Sequence, residues 1–339
     1  MNITRMGIDL AKNVFQLHGV DKHEKIVFRK QLKRTEMLTF FANQQPMLIG
    51  LEACGGAHYW ARELIKLGHR VNVMAPQHVK AYVKSQKNDK RDAEAICEAV
   101  SRPTMRFVEV KTVAQQDMQA VHRVRERLLK ARTALTNEVR GLLGEYGIVI
   151  ACTGVAATKR GMQAALENAD NSLSHKMRAI VFDALEELSA MEDRLKRYDE
   201  KIQQHARDDE RVKRLLAIEG IGPISASALV TSIGNATQFK SGRDLAAWLG
   251  LVPRQHSSGG KEKLGSMSKR GDKRLRTLLI HGARAVIRFC EQKNDTRSRW
   301  VNGLIVRRNK NIATVGLANK NARIIWSLLA REETYRPAN

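Results

Sequence analysis

Three observations on this 339-residue chain predict a mixed α/β N-terminal domain, a long-helix region and a mainly helical C-terminal region. Short apolar runs in the first hundred residues alternate with segments of helical spacing. Two long stretches follow with helical period and no proline, around 112–146 and 179–205. Beyond residue 211 almost every apolar run is helical in spacing. The expected boundaries are 1–110, 111–210 and 211–339.

Ile3–Leu10, Val14–Val20 and Lys25–Leu32 read as three short strands joined by tight turns. Thr35 is placed to cap a helix through Ala42. Met47–Glu52 reads as a buried strand, broken by Gly55-Gly56 before a helix over Ala57–Leu67. Val71–Ala75 is a further strand, and Asp89–Val100 a helix with Ala93, Ile96, Cys97 and Val100 on one face. The order βββαβαβα implies a mixed sheet with helices around it. Thr112–Tyr146 is predicted as one basic helix, followed by a Gly- and Ala-containing connector over 147–161 and a helix over Ala179–His205. In that last helix Leu188, Met191, Leu195, Tyr198 and Ile202 step at coiled-coil spacing. The stripe fits a coiled coil between chains or an antiparallel hairpin within one. Six helices are predicted after residue 211: Arg211–Ile218, Ile224–Ile233, Arg243–Leu249, Asp272–Cys290, Thr296–Arg308 and Ala313–Arg331. A Gly-, Ser- and Lys-rich loop lies between Leu251 and Gly271.

Lys and Arg number 59 against 35 Asp and Glu, a net charge of +24. Residues 240–339 carry 22 basic and 7 acidic side chains, so +15 of that excess falls in the last hundred residues. Such self-repulsion is most easily tolerated when a polyanion neutralises it, which points to nucleic acid. With 43% apolar residues the chain is not a disordered basic tail. No apolar run is long enough to span a membrane, and MNITRMGIDL lacks a signal-peptide pattern. Cys54, Cys97, Cys152 and Cys290 form no metal-type pair, so a reducing cytoplasm is expected.

Asp9 and Glu52 end two predicted strands, and Asp89 and Asp92 stand three apart at a helix start, on one face. Strand ends in α/β folds converge on one edge of the sheet. Four carboxylates meeting there need a hard cation such as Mg²⁺ between them, the arrangement that supports phosphodiester chemistry. The bland alternatives are strand-end acids in solvent and complements to a helix dipole.

Glu219-Gly220-Ile221-Gly222-Pro223 lies between two helix signals, a helix-hairpin-helix pattern. Its glycines permit close approach of a phosphate to backbone N–H groups, giving DNA affinity without base choice. An ordinary turn between helices is the alternative. In the loop Pro253-Arg254-Gln255-His256-Ser257-Ser258-Gly259-Gly260-Lys261, a serine beside glycines can reach a phosphate. Arg254 and Lys261, with the following Lys269, Arg270, Lys273 and Arg274, supply cations for the DNA backbone or for developing negative charge. A polar loop that only touches DNA is the alternative.

These signals, in this order, resemble the DEDD-type insertion-sequence transposases (insertion-sequence 110 family, 1111-like subgroup), which include the pilin-gene invertases. The resemblance rests on GIDLAK (7–12), GLEACGG (50–56), KNDKRDAEAI (87–96), EGIGPISASAL (219–229), LAAWLGLVPRQHSSGG (245–260) and SMSKRGDKRLR (266–276). It implies a RuvC/RNase H-like nuclease domain, a coiled-coil linker and a helical transposase domain with a helix-hairpin-helix. It places the family's metal-binding catalytic acids on Asp9, Glu52, Asp89 and Asp92, and its catalytic serine on Ser258 rather than Ser257. In the family that serine attacks a DNA phosphate beside Mg²⁺, the two halves of the site can come from different subunits, and an element-encoded guide RNA pairs with donor and target DNA. A bacterial cytoplasmic recombinase of double-stranded DNA is therefore expected, working at the nucleoid as a dimer or tetramer. Two rivals are a RuvC-type junction-resolving nuclease that uses metal-activated water, and a non-catalytic nucleic-acid-binding protein.

Overall fold

The computed structural model describes residues 2–83 and 88–336, and the chain divides into two compact units, Met1–Thr112 and Val113–Asn339. The expected linker region 111–210 does not stand apart. Ala206, near its end, is already part of the core built by residues 212–328.

In the first unit the strands are β1 (Arg5–Leu10), β2 (Val14–Val20), β3 (Ile26–Lys33), β4 (Leu48–Glu52), β5 (Arg70–Met74) and β6 (Phe107–Val108). Their order in the sheet is β3-β2-β1-β4-β5-β6. β2 and β3 are antiparallel hairpin strands, β4 and β5 run parallel to β1, and the two-residue β6 closes the far edge antiparallel to β5. Helices α1 (Met37–Ala42), α2 (Ala57–Lys66), α3 (Pro76–Val79) and α4 (Asp89–Val100) complete this unit. The short α3 and β6 add to the predicted elements. Thr35 does not cap α1: a 3-10 turn over Arg34–Glu36 precedes it, and Glu36 instead accepts from the Lys33 backbone N–H at 2.8 Å.

Period-2 alternation sorts the sheet's two faces. Met6, Ile8, Ile49 and Leu51 join Phe15, Phe41 and Trp60 in a core with α1 and α2. Gly7, Asp9, Gly50 and Glu52 therefore share the opposite face, where α4 lies. Gly7 and Gly50 are register partners. A Cβ on Gly7 would lie 2.2 Å from the Ala93 carbonyl oxygen, and one on Gly50 would lie 2.9 Å from the Val100 Cβ. The two glycines form a seat into which α4 drops.

The second unit starts with α5 (Val113–Gly144), α6 (Val155–Glu167) and α7 (His175–Asp208). Helix α6 begins inside the stretch expected to be a connector and runs beyond it, and Met162 and Ala165 anchor it in the core with Val139 and Leu188. The predicted a/d stripe is occupied within the chain: Leu188, Leu195 and Ile202 are buried as α7 runs antiparallel to α5, with Arg125 of one facing Asp199 of the other. Helices α8 (Glu210–Leu216), α9 (Pro223–Ile233), α10 (Gly242–Trp248), α11 (Lys273–Ile287), α12 (Thr296–Arg307) and α13 (Lys310–Ala330) enclose one core that includes Leu229, Leu245, Leu279 and Leu317. The expected loop over 251–271 is a β-hairpin of β7 (Pro253–Gln255) and β8 (Leu264–Met267).

Candidate functional site

The acids are placed by the seat just described. Asp9 is two residues beyond Gly7 on the same face of β1, and α4 leads back over Gly7 to its first turn. Asn88 caps that turn, accepting from the Lys90 N–H at 3.0 Å. Asp89 and Asp92 are thereby brought onto Asp9, and one carboxylate oxygen from each lies within 4.8 Å of the others. Asp9 and Asp92 are half-buried and Asp89 is exposed, so the cluster opens to solvent. Glu52 stands outside this close triple. It lies on the neighbouring strand one step past the Ile8–Leu51 pair, on the same face as Asp9. Its field is felt locally: burial first, then Glu52 and Asp9, push the Cys54 thiol above its ordinary pKa. Three convergent carboxylates are an all-oxygen, hard donor set, which fits Mg²⁺ and not a thiolate-seeking metal.

Ser258 and Ser257 sit at the tip of the β7–β8 hairpin. Ser258 and Lys261 bridge across a two-residue turn, with the Lys261 N–H donating to the Ser258 carbonyl oxygen at 3.1 Å. Gly259 and Gly260, both at positive φ (56° and 75°), form that turn, as a type I′ hairpin requires. The two serines differ in their bonding. Ser257 Oγ accepts from Gln255 Nε2 at 3.0 Å, whereas Ser258 flanks the turn itself. Arg254 and Lys261 on the hairpin, Lys269 and Arg270 on the link after it and Lys273 at the start of α11 are all exposed. Arg274 departs from the expectation. Its guanidinium turns inward, donating to His122 Nδ1 at 2.7 Å and facing Glu126 at 3.4 Å.

The Gly220–Pro223 turn also departs in part. Ile221 is a core side chain and its N–H donates to the Ile218 carbonyl oxygen at 3.0 Å, so it is not a phosphate contact. Gly220, at φ +86°, packs against α11: its Cβ would lie 2.7 Å from the Gly282 carbonyl oxygen. Gly222 is exposed and faces open space. Gly220→Ala is therefore expected to cost about 2–3 kcal/mol of stability, and Gly222→Ala under about 0.5 kcal/mol, in urea unfolding.

Sequence reasoning missed the role of Gly7 and Gly50, although a signal was present. Both acids that end a strand are preceded two positions earlier by glycine, Gly7-Ile8-Asp9 and Gly50-Leu51-Glu52. A glycine on the acid's own face marks where a helix comes close. His122, a single histidine within the basic α5 sequence, carries no comparable signal.

Comparisons with known proteins match the chain to one family. Residues 212–299 match the model of the transposase IS116/IS110/IS902 family, and residues 6–148 match a DEDD transposase model of IS110 type. A probable family 20 transposase of Pseudomonas aeruginosa is 58% identical over 337 residues, covering 99% of this chain and all of the relative. The transposase for insertion sequence element IS1111A of Coxiella burnetii is 45% identical over 99% of this chain and 92% of its own length. A pilin gene-inverting protein of Moraxella bovis is 24% identical over 89% of this chain and 92% of its own.

Proposed function

Because the chain belongs to the IS116/IS110/IS902 family of insertion-sequence transposases, which cleave and transfer DNA strands, we propose that it does so by a serine-linked, Mg²⁺-dependent reaction. The observation that carries the metal half is the convergence of Asp9, Asp89 and Asp92. These three would hold Mg²⁺, with Glu52 beside them on β4. When bound, the ion supplies positive charge to a phosphate whose negative charge grows during cleavage. The sheet order β3-β2-β1-β4-β5, with two antiparallel and then parallel strands, supports a RuvC/RNase H-like reading of this unit.

Ser258 is the proposed nucleophile. Its Oγ forms an ester bond to phosphorus as the scissile P–O bond breaks, and the hydroxyl proton ends, in net, on the departing deoxyribose oxygen. The phosphodiester energy is kept in the serine ester for rejoining. Placing the serine beside the Gly259-Gly260 turn removes two side chains that would hold a phosphate away. Arg254, Lys261, Lys269, Arg270 and Lys273 hold the DNA backbone, and the exposed Gly222 at the start of α9 adds a further backbone contact. Sequence choice is left to an element-encoded guide RNA, and the active assembly is a dimer or tetramer. No helix among the described residues is long and apolar enough to cross a membrane.

The test is a covalent adduct. Wild type, Ser258→Ala and Ser257→Ala are purified with co-expressed flanking RNA and incubated with labelled element-junction DNA and Mg²⁺. A denaturant-resistant protein–DNA species is expected for wild type and Ser257→Ala and is expected to vanish in Ser258→Ala. Cleavage without any adduct, intact in Ser258→Ala, would replace this reading by a nuclease that uses water.

A further inference from the structure

A chain of polar groups crosses the second unit where five segments meet. Arg274 of α11 donates to His122 Nδ1 at 2.7 Å. His122 Nε2, on α5, lies 2.8 Å from Ser227 Oγ on α9, and that oxygen lies 2.9 Å from His205 Nδ1 on α7. His205 Nε2 then faces Asp209, the cap of α8, at 3.6 Å. His122 and Ser227 are buried, 1% and 0% exposed.

The proton positions follow from chemistry. A guanidinium only donates and a carboxylate only accepts. His122 Nδ1 must therefore accept, so Nε2 carries the proton and donates to Ser227. Ser227 Oγ stands between the two rings, and His205 turns its Nε2 toward Asp209. Protonating His122 would set an N–H against the guanidinium, and burial, followed by the charge of Arg274, pushes its pKa down to about 3. Asp209–His205–Ser227 has the order of a hydrolytic triad, but Ser227 is sealed from solvent and bonded on both sides, which removes it as a nucleophile.

We propose that His122 is a positioning residue for the DNA-holding segment: seated by its Nε2–H on the buried Ser227, it presents Nδ1 to Arg274 and so fixes the first turn of α11. Lys273 adjoins Arg274, and Lys269 and Arg270 lie within five residues of it. Anchoring Arg274 sets where those three exposed cations stand. The inference rests on the reading that these cations hold DNA.

The test separates the two ends of the ring. In His122→Asn the amide oxygen replaces Nδ1 and still receives Arg274, while the bond to Ser227 is cut. In His122→Gln the amide nitrogen replaces Nε2 and still donates to Ser227, while Arg274 loses the ring acceptor and keeps only Glu126. Each full-length variant loses one buried hydrogen bond, so a merely structural role predicts equal effects. Affinity for a fluorescein-labelled random-sequence DNA duplex is read by anisotropy at fixed salt. About tenfold weaker binding is expected for His122→Gln and wild-type binding within about threefold for His122→Asn, with similar thermal melts. Equal affinities, or the reverse order, would overturn the proposal.

A Lys269→Ala/Arg270→Ala control separates the two levels. If it binds as wild type, the DNA-holding reading falls and the proposal with it. If it weakens binding while the His122 variants behave alike, only the positioning role falls. A readout that needs no variant to fold is the wild-type tautomer. Histidine ¹⁵N spectra are expected to show Nε2–H for His122 at neutral pH, and an Nδ1–H or cationic ring overturns the proposal.

Discussion

Asp9→Asn is expected to lower strand cleavage by about 10³-fold, equivalent to about 4 kcal/mol of lost transition-state stabilisation. Asp9 is the member of the acid cluster fixed by the sheet, and Asp89 and Asp92 reach it from the end of α4. An amide keeps the shape but removes the charge that balances a divalent cation. Two measurements check this. Cleavage of junction DNA in Mg²⁺ should drop, while binding to the same DNA should change by less than about threefold, because the cations proposed to hold the backbone belong to the second unit. Wild type should also gain melting temperature on adding Mg²⁺, by mass action on the folded state, and the variant should gain less. Full activity in Asp9→Asn would remove the acid cluster from the mechanism.

The second large effect is expected at a position with no functional group. Gly7→Ala should destabilise the N-terminal unit by about 3 kcal/mol or more, lowering its melting temperature by roughly 10–20 °C. The added methyl would sit 2.2 Å from the Ala93 carbonyl oxygen and 2.3 Å from the Cys97 backbone nitrogen. Neither is the end of a flexible side chain, so α4 itself must lift. Lifting it withdraws Asp89 and Asp92 from Asp9, and the Mg²⁺-dependent gain in melting temperature should shrink along with the stability. Gly55→Ala in the neighbouring GLEACGG string meets nothing within 4 Å and is the matched control. Circular-dichroism melts with and without Mg²⁺ decide between the two.

Much of this site was legible because strand ends and an i, i+3 pair obey simple periodicities. Asp9 and Glu52 could be assigned to one sheet edge from their places at strand ends, and Asp89 and Asp92 to one helix face from their spacing. Which helix would lie across which strands could not. That depends on Gly7 and Gly50 being partners in register, a long-range fact. The α6 helix was missed because its stretch of alanines and glycines carries weak periodicity until Met162 and Ala165 find the α5–α7 groove. The β7–β8 hairpin reads as a loop because both its faces are solvated, so no apolar alternation marks its strands. Arg274 was grouped with its basic neighbours, since local charge does not say which of several cations turns inward to a buried ring on a distant helix.

The hairpin that bears Ser258 has a consequence for timing. Every residue from Pro253 to Ser266 is exposed, and the arm is tied at its base by Ser268 N–H to the Val252 carbonyl oxygen and Lys269 N–H to that of Gly250. A two-stranded ribbon with no covered face is only marginally stable in water. Its full ordering must draw on the surface it meets. On the proposed reading of Ser258 as the nucleophile, a mismatched assembly would return too little free energy to set the ribbon, and correct assembly and a competent serine would become the same event.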